Sequence, residues 1–125
     1  MSLPFRLLLL VNAIATLAAG IVLFAFPGAI PATVGISLAP DQAFVARLLG
    51  ASEFGIAALC IGALRSSEPA VLRLTASTMI VFHAASAIAD MMALLQDVTS
   101  TVALNLVLRI AMIVLFALIG LRRTA

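Results

Sequence analysis

The chain has no lysine, no tryptophan and no tyrosine, and only one cysteine, Cys60. One cysteine excludes an intrachain disulfide and a CxxC-type thiol–disulfide centre. Because it lies in an apolar run, Cys60 reads as a small packing residue. One histidine, His83, excludes a bis-histidine haem site within a single chain. Charge is scarce as well, at 10% of the 125 residues, against about 25% in soluble domains. Seven arginines face five acids, and no basic cluster with interleaved aromatics occurs. That excludes nucleic-acid binding as a function class. Without Trp and Tyr, the aromatic belt common at membrane interfaces is missing.

What fills the chain is apolar: 65% of its residues are hydrophobic, against roughly 45–50% in a soluble domain. A soluble protein this small has no interior large enough to hide them, so the bilayer is the expected solvent. Four apolar stretches cover about 5–26, 42–64, 69–95 and 100–121. Each reaches the ~20 helical residues that cross a ~30 Å hydrocarbon core. The expected fold is all-α, an integral membrane four-helix bundle forming one transmembrane domain over 1–125. Arg6 before "LLLLV" resembles a signal-peptide start, but Asn12 interrupts that run and it resumes to Phe26. A retained helix is therefore expected.

"RSSEP" and "QDVTS" are short connections and imply antiparallel neighbours. Ser67 is the expected cap of the third helix, ahead of Pro69, with Thr99 or Ser100 capping the fourth and Asp41 the second. The loop 27–41, "PGAIPATVGISLAPD", has three prolines and two glycines. It reads as an interfacial loop with room for one short turn. Arg6, Arg65, Arg73, Arg122 and Arg123 gather at one side, while Asp41 and Asp97 mark the other. The positive-inside rule then predicts cytoplasmic termini, with the 27–41 loop and the 96–99 turn periplasmic. The expected location is the bacterial inner (plasma) membrane, crossed several times.

Polar residues interrupt these stretches at matching depths. Glu53 and His83 lie ~18 Å from the loop ends of their helices at ~1.5 Å per residue. Asn12 and Arg109 reach a similar level, one residue from each helix. Arg47, Asp90 and Asn105 form a second tier nearer the periplasm. At helical periodicity His83 shares a face with Asp90, and Asn105 with Arg109. Small residues flank Glu53 (Ala46, Gly50, Ala57) and Asn12 (Ala15, Thr16, Ala19). A charge facing lipid at the bilayer centre costs at least ~2.5–3.5 kcal/mol. The charges are therefore expected to point inward and pair, Glu53 with Arg109 and Asp90 with Arg47. Ala51 with Gly55 and Ala58 with Gly62 are the expected close-packing pairs. Phe44, Phe54, Phe82 and Phe116 read as lipid contacts or core, and the methionines as packing residues.

The run "RLLGASEFGIAALCIGAL" (47–64), behind a Pro-containing loop, resembles the second helix of small DoxX-like four-helix bacterial membrane proteins. Arg47, Gly50, Glu53 and Gly55 are the matching positions, and chain length and helix number agree. The resemblance implies a lean toward redox-associated or lipophilic-ligand roles and carries no catalytic assignment. Small multidrug transporters are also four-helix proteins. They rely on an acidic residue in the first helix and on several aromatics, whereas here the first helix has only Asn12 and the chain has no Trp or Tyr.

The leading expectation is a buried mid-membrane site that binds, or acts on, a lipophilic small molecule by acid/base chemistry. Glu53 and His83 would donate and accept the proton, and Arg109 would hold an anionic or carbonyl oxygen. Asn12 and Asn105 would orient the ligand, and Arg47 with Asp90 would gate the outer tier. No metal is expected, because the arginines oppose a cation beside Glu53, His83 and Asp90. No cofactor is predicted, and a quinone or a lipid is the candidate ligand. Expected partners are membrane lipid, the ligand itself, and a homodimer or larger membrane complex. In the alternative reading the network only fixes helix register, at ~0.6 kcal/mol per polar contact. The chain would then be an accessory or assembly subunit of a larger, quinone-linked redox complex. The third reading is a proton-coupled dimeric small-molecule transporter. An open cavity beside Glu53 and His83 separates the first reading from the second.

Overall fold

A computed structural model describes residues 1–122; Arg123, counted above among the flanking arginines, lies outside the described residues. Helix α1 spans Leu3–Ala25, with Pro4 in its first turn, where the missing N–H costs nothing. It stops before Pro27, which pushes Phe26 out of the helical region (φ −130°, ψ 69°). The loop carries a short helix, α2 (Ala29–Thr33). Gly35 follows it with φ +76°, a conformation that glycine adopts without steric cost. Helix α3 is Ala43–Leu64, α4 is Pro69–Leu95 and α5 is Val102–Leu115. The last continues as a π-helical segment, Phe116–Leu121. Four of these helices are long and apolar enough to cross a membrane, the fourth counted through Leu121.

The helix starts differ in detail from the expected caps. A 3₁₀ turn at Pro40–Gln42 precedes α3, and Ala39 N–H donates to Gln42 Oε1 at 2.8 Å, so Gln42 rather than Asp41 makes the closing bond. At α4 the N-cap position is Glu68, and Glu68 N–H donates to Ser66 Oγ at 3.2 Å; Ser67 makes no capping bond. At α5, Thr101 N–H donates to Thr99 Oγ1 at 3.3 Å, and the helix begins at Val102 rather than at 100.

The helices associate as two close pairs, α1 with α3 and α4 with α5 and its π-helical end. The pairs meet at the end where α1 begins and the π segment finishes. There Phe5 packs edge-on against Phe116 (6.5 Å, 87°). Phe5, Leu9, Cys60, Ala76, Met79 and Phe116, each at most 1% exposed, form a dry core. Gly120 lets the π segment close on it: a Cβ there would lie 2.8 Å from Ala76 Cβ. Along the outer faces, apolar side chains such as Val11, Leu74, Val81, Ile88 and Leu104 are exposed. That suits helices whose surroundings are lipid.

The α1–α3 pair is drawn together by glycine, though not by the expected ones. A Cβ built on Gly20 or on Gly50 would lie 3.0 Å from the other's carbonyl oxygen. The backbones thus touch where neither helix has a side chain, which is how membrane helices gain packing without a hydrophobic drive. Gly55 and Gly62 have nothing within 4 Å of such a Cβ, so the pairs Ala51–Gly55 and Ala58–Gly62 do not form this contact. Gly50→Val should therefore lower stability by ~1–3 kcal/mol through overpacking. Gly62→Ala should raise it by up to ~1 kcal/mol through helix propensity. Thermal unfolding of the two variants in one detergent checks both signs.

Candidate functional site

Beyond the dry core, toward the loop end, the two helix pairs enclose a cavity of about 310 Å³. Glu53, His83, Asn105 and Arg109 give it polar walls, while Leu23, Ile30 and Leu49 line it nearer the loop. A second cavity of about 310 Å³ shares Glu53, His83 and Arg109, and runs past Asn12, Ala15 and Thr16 on α1. Three residues expected to do chemistry, one each from α3, α4 and α5, thus line a common space.

Asn12 anchors one side of this space. Its amide nitrogen donates to Met79 Sδ at 3.2 Å and to Cys60 Sγ at 3.4 Å. A thioether can only accept, so the NH₂ must face the sulfurs and Oδ1 must face His83. Oδ1 stands 3.1 Å from His83 Nε2, which therefore carries the proton in the neutral ring. His83 Nδ1 is then a bare acceptor, buried without a hydrogen-bond partner. The ring is also stacked on Phe116 (6.1 Å, 24°) and set edge-on to Phe82 (5.1 Å, 69°). The Thr16 hydroxyl is spent on its own helix, donating to Asn12 O at 2.8 Å. The Ser86 hydroxyl is spent likewise on Phe82 O.

The ion pairing differs from the expected one. Arg109 Nε donates to Asp90 Oδ2 at 3.0 Å, the two side chains being 29% and 15% exposed. The close packing of α5 on α4 brings the two together. Starting at Val102, the helix places Arg109 nearer the loop end than a start at 100 would, and so level with Asp90 on the adjoining α4. Arg47 is not the partner of Asp90. It is exposed on α3, whose close neighbour is α1, and its Nε donates to Phe24 O at 3.3 Å. That carbonyl is among the last of α1, which lack intrahelical donors, so Arg47 caps a helix end and does not line the cavity.

Glu53 is consequently the unengaged member. It is 9% exposed and makes no hydrogen bond or ion pair among the described residues, although Arg109 is near enough for its charge to be felt there. Arg109 is held in place through Nε, so its terminal N–H groups remain for the cavity. The arrangement offers a fixed donor, a free carboxyl and a ring whose tautomer is set from behind. Among the described residues no cluster of three or more His, Cys, Asp and Glu side chains gathers.

Met79 and Cys60 were read only as packing residues, yet they orient Asn12 and through it His83. The spacing carried a usable signal, since Met79 lies one helical turn before His83 and shares its face. Ile30 had no such signal, because α2 folds it over the cavity from a loop.

Four helices long and apolar enough to cross a membrane, around a largely apolar cavity with a few polar groups, mark the chain as a multi-pass membrane protein. No protein family, curated protein or solved structure matches it.

Asp90→Asn should destabilise by ~1–3 kcal/mol, the cost of leaving a part-buried charged group without its partner. Asp90→Asn with Arg109→Met should recover much of that loss. Arg47→Ala combined with Asp90→Asn should be additive within ~0.5 kcal/mol. A double-mutant cycle of unfolding in detergent reads all three.

Proposed function

We propose that this protein binds a lipophilic small molecule in the cavity between its helix pairs and acts on it by acid/base chemistry. The observation that carries the reading is the Glu53 carboxyl. It lies on the wall of a space of about 310 Å³ with no protein hydrogen bond, beside an arginine already oriented by Asp90. Ligand pockets usually begin at ~300 Å³. A network serving only as glue would leave no acid without a partner, since an unpaired ionisable group inside a membrane is costly. Glu53 and His83 exchange the proton, and Arg109 holds the oxygen that gains charge. Asn12 sets the His83 tautomer, Asp90 positions Arg109, and Asn105 adds a polar contact on the α5 side. Arg47 serves the α1 end and has no part in binding.

The same proposal includes a bacterial plasma-membrane location with cytoplasmic termini, and kinship with the small DoxX-like proteins through Arg47, Gly50, Glu53 and Gly55. A quinone, met in its hydroxyl-bearing quinol form, or a lipid is the ligand class in view. In a Cys60→Ala background, a membrane-impermeant thiol reagent should label Val98→Cys from outside the cell and Ser66→Cys only after lysis. Equal labelling of both in intact cells rejects the orientation.

Native mass spectrometry of the purified protein tests the binding. The wild type should carry a small lipophilic molecule. Glu53→Gln should retain it about tenfold less well, the cost of one lost partner. Because Glu53 has no protein hydrogen bond to lose, its variant should melt near the wild-type temperature. Co-purification of another subunit with no small molecule would favour the accessory-subunit reading.

A further inference from the structure

The two cavities share Glu53, His83 and Arg109 and extend in two directions. One leads toward the loop, where Ile30 of α2 lines it. The other leads sideways between α1 and α5. These helices leave a slot because α1 meets the fourth spanning helix closely only at its π-helical end. Val11 and Leu108 line the slot and are 60% and 55% exposed. Ala15, also exposed, lines it one helical turn beyond Val11 on α1. Val11 and Ala15 lie well inside α1 and Leu108 lies nearly two turns into α5, so the slot opens along the apolar length of the helices and faces hydrocarbon.

The polar wall restricts what can sit at its inner end. Arg109 supplies N–H donors and no acceptor, and the Glu53 carboxylate supplies acceptors. An ether or ketone satisfies Arg109 and leaves Glu53 unpaired. A carboxylate brings a second acceptor-only group to Glu53. An ammonium sets a cation against Arg109. A hydroxyl does both jobs with one oxygen, accepting from Arg109 and donating to Glu53.

We propose that the cavity takes a membrane-dissolved hydroxyl compound, a lipophilic alcohol or phenol, admitted from the hydrocarbon through the slot between α1 and α5. This rests on the binding reading above and names its ligand chemistry. The head lies between Glu53 and Arg109, and the chain runs out past Ala15 and Leu108 into the bilayer.

The test uses the whole protein in phosphatidylcholine vesicles, with protein-free vesicles as the blank. The probe is 4-nonylphenol, read by emission anisotropy, and the absence of Trp and Tyr leaves its signal unmixed. The comparison probe is 4-nonylanisole, the same molecule with its hydroxyl methylated, and 4-nonylbenzoate is the competitor. The phenol should bind saturably and the anisole about tenfold more weakly or worse. The benzoate should compete poorly. Ala15→Phe, at a lipid-facing position, should slow binding several-fold without moving the melting temperature, while Ile30→Phe should not. Equal binding of phenol and anisole, or preference for the benzoate, overturns hydroxyl recognition and leaves the binding reading standing. Slowing by Ile30→Phe and not by Ala15→Phe overturns the lateral route. If none of the three probes binds the wild type, both the inference and the binding reading fail.

Discussion

The ion pair between Asp90 and Arg109 is the contact on which the interior arrangement turns. An arginine in the hydrocarbon layer has to find an anion or water, and two acids are within its neighbourhood. By engaging Asp90 through Nε, it stitches α5 to α4 and spends the acid of the outer tier. Glu53 is left on the opposite pair of helices without a bonded counter-group. Had Arg109 turned to Glu53, the two helix pairs would be tied across the cavity and Asp90 would be the stranded acid. The choice between these arrangements decides whether the interior is a closed network or an open site.

The backbone supports the open arrangement from both ends. Close contact of Gly20 with Gly50 makes α1 and α3 one rigid unit. The π-helical segment brings Phe116 and Gly120 against Phe5 and Ala76, and so joins the second unit to the first at a single end. A π-helical stretch is uncommon and is often found beside functional sites. Here it supplies Phe116, the floor on which His83 stacks. Helix pairs joined at one end and apart at the other produce a wedge-shaped space, and the polar residues line its narrow part.

Much of this was legible in the residues. Run length and composition suffice for four spanning helices, because a ~20-residue apolar segment has few alternatives. Depth counting was enough to bring Glu53, His83 and Arg109 around one space, since helical rise is nearly constant, although Arg109 sits nearer the loop end, level with Asp90. Pairing was not legible. It depends on which helices adjoin, and α5 adjoins α4, which carries Asp90, rather than α3, which carries Glu53. The role of Arg47 was hidden for a related reason: its acceptor, Phe24 O, is a backbone group that no residue pattern marks. The glycine contacts were misassigned because Gly20, Gly50, Gly55 and Gly62 look alike in sequence, and only the facing helix separates them. The tautomer of His83 needed Met79, whose inability to donate matters only once Asn12 is known to touch it.

The central claim is that Arg109 is held by Asp90 and that Glu53 stands free. Solid-state NMR in lipid bilayers reads this directly, through dipolar dephasing between ¹⁵N-labelled arginine and ¹³C-labelled side-chain carboxyls, assigned by Asp90→Asn and Glu53→Gln. Strong dephasing at the Asp90 carboxyl, with weak dephasing at Glu53, is the expected result. Strong dephasing at Glu53 with none at Asp90 would mean that the pair bridges the cavity, and would contradict the open site.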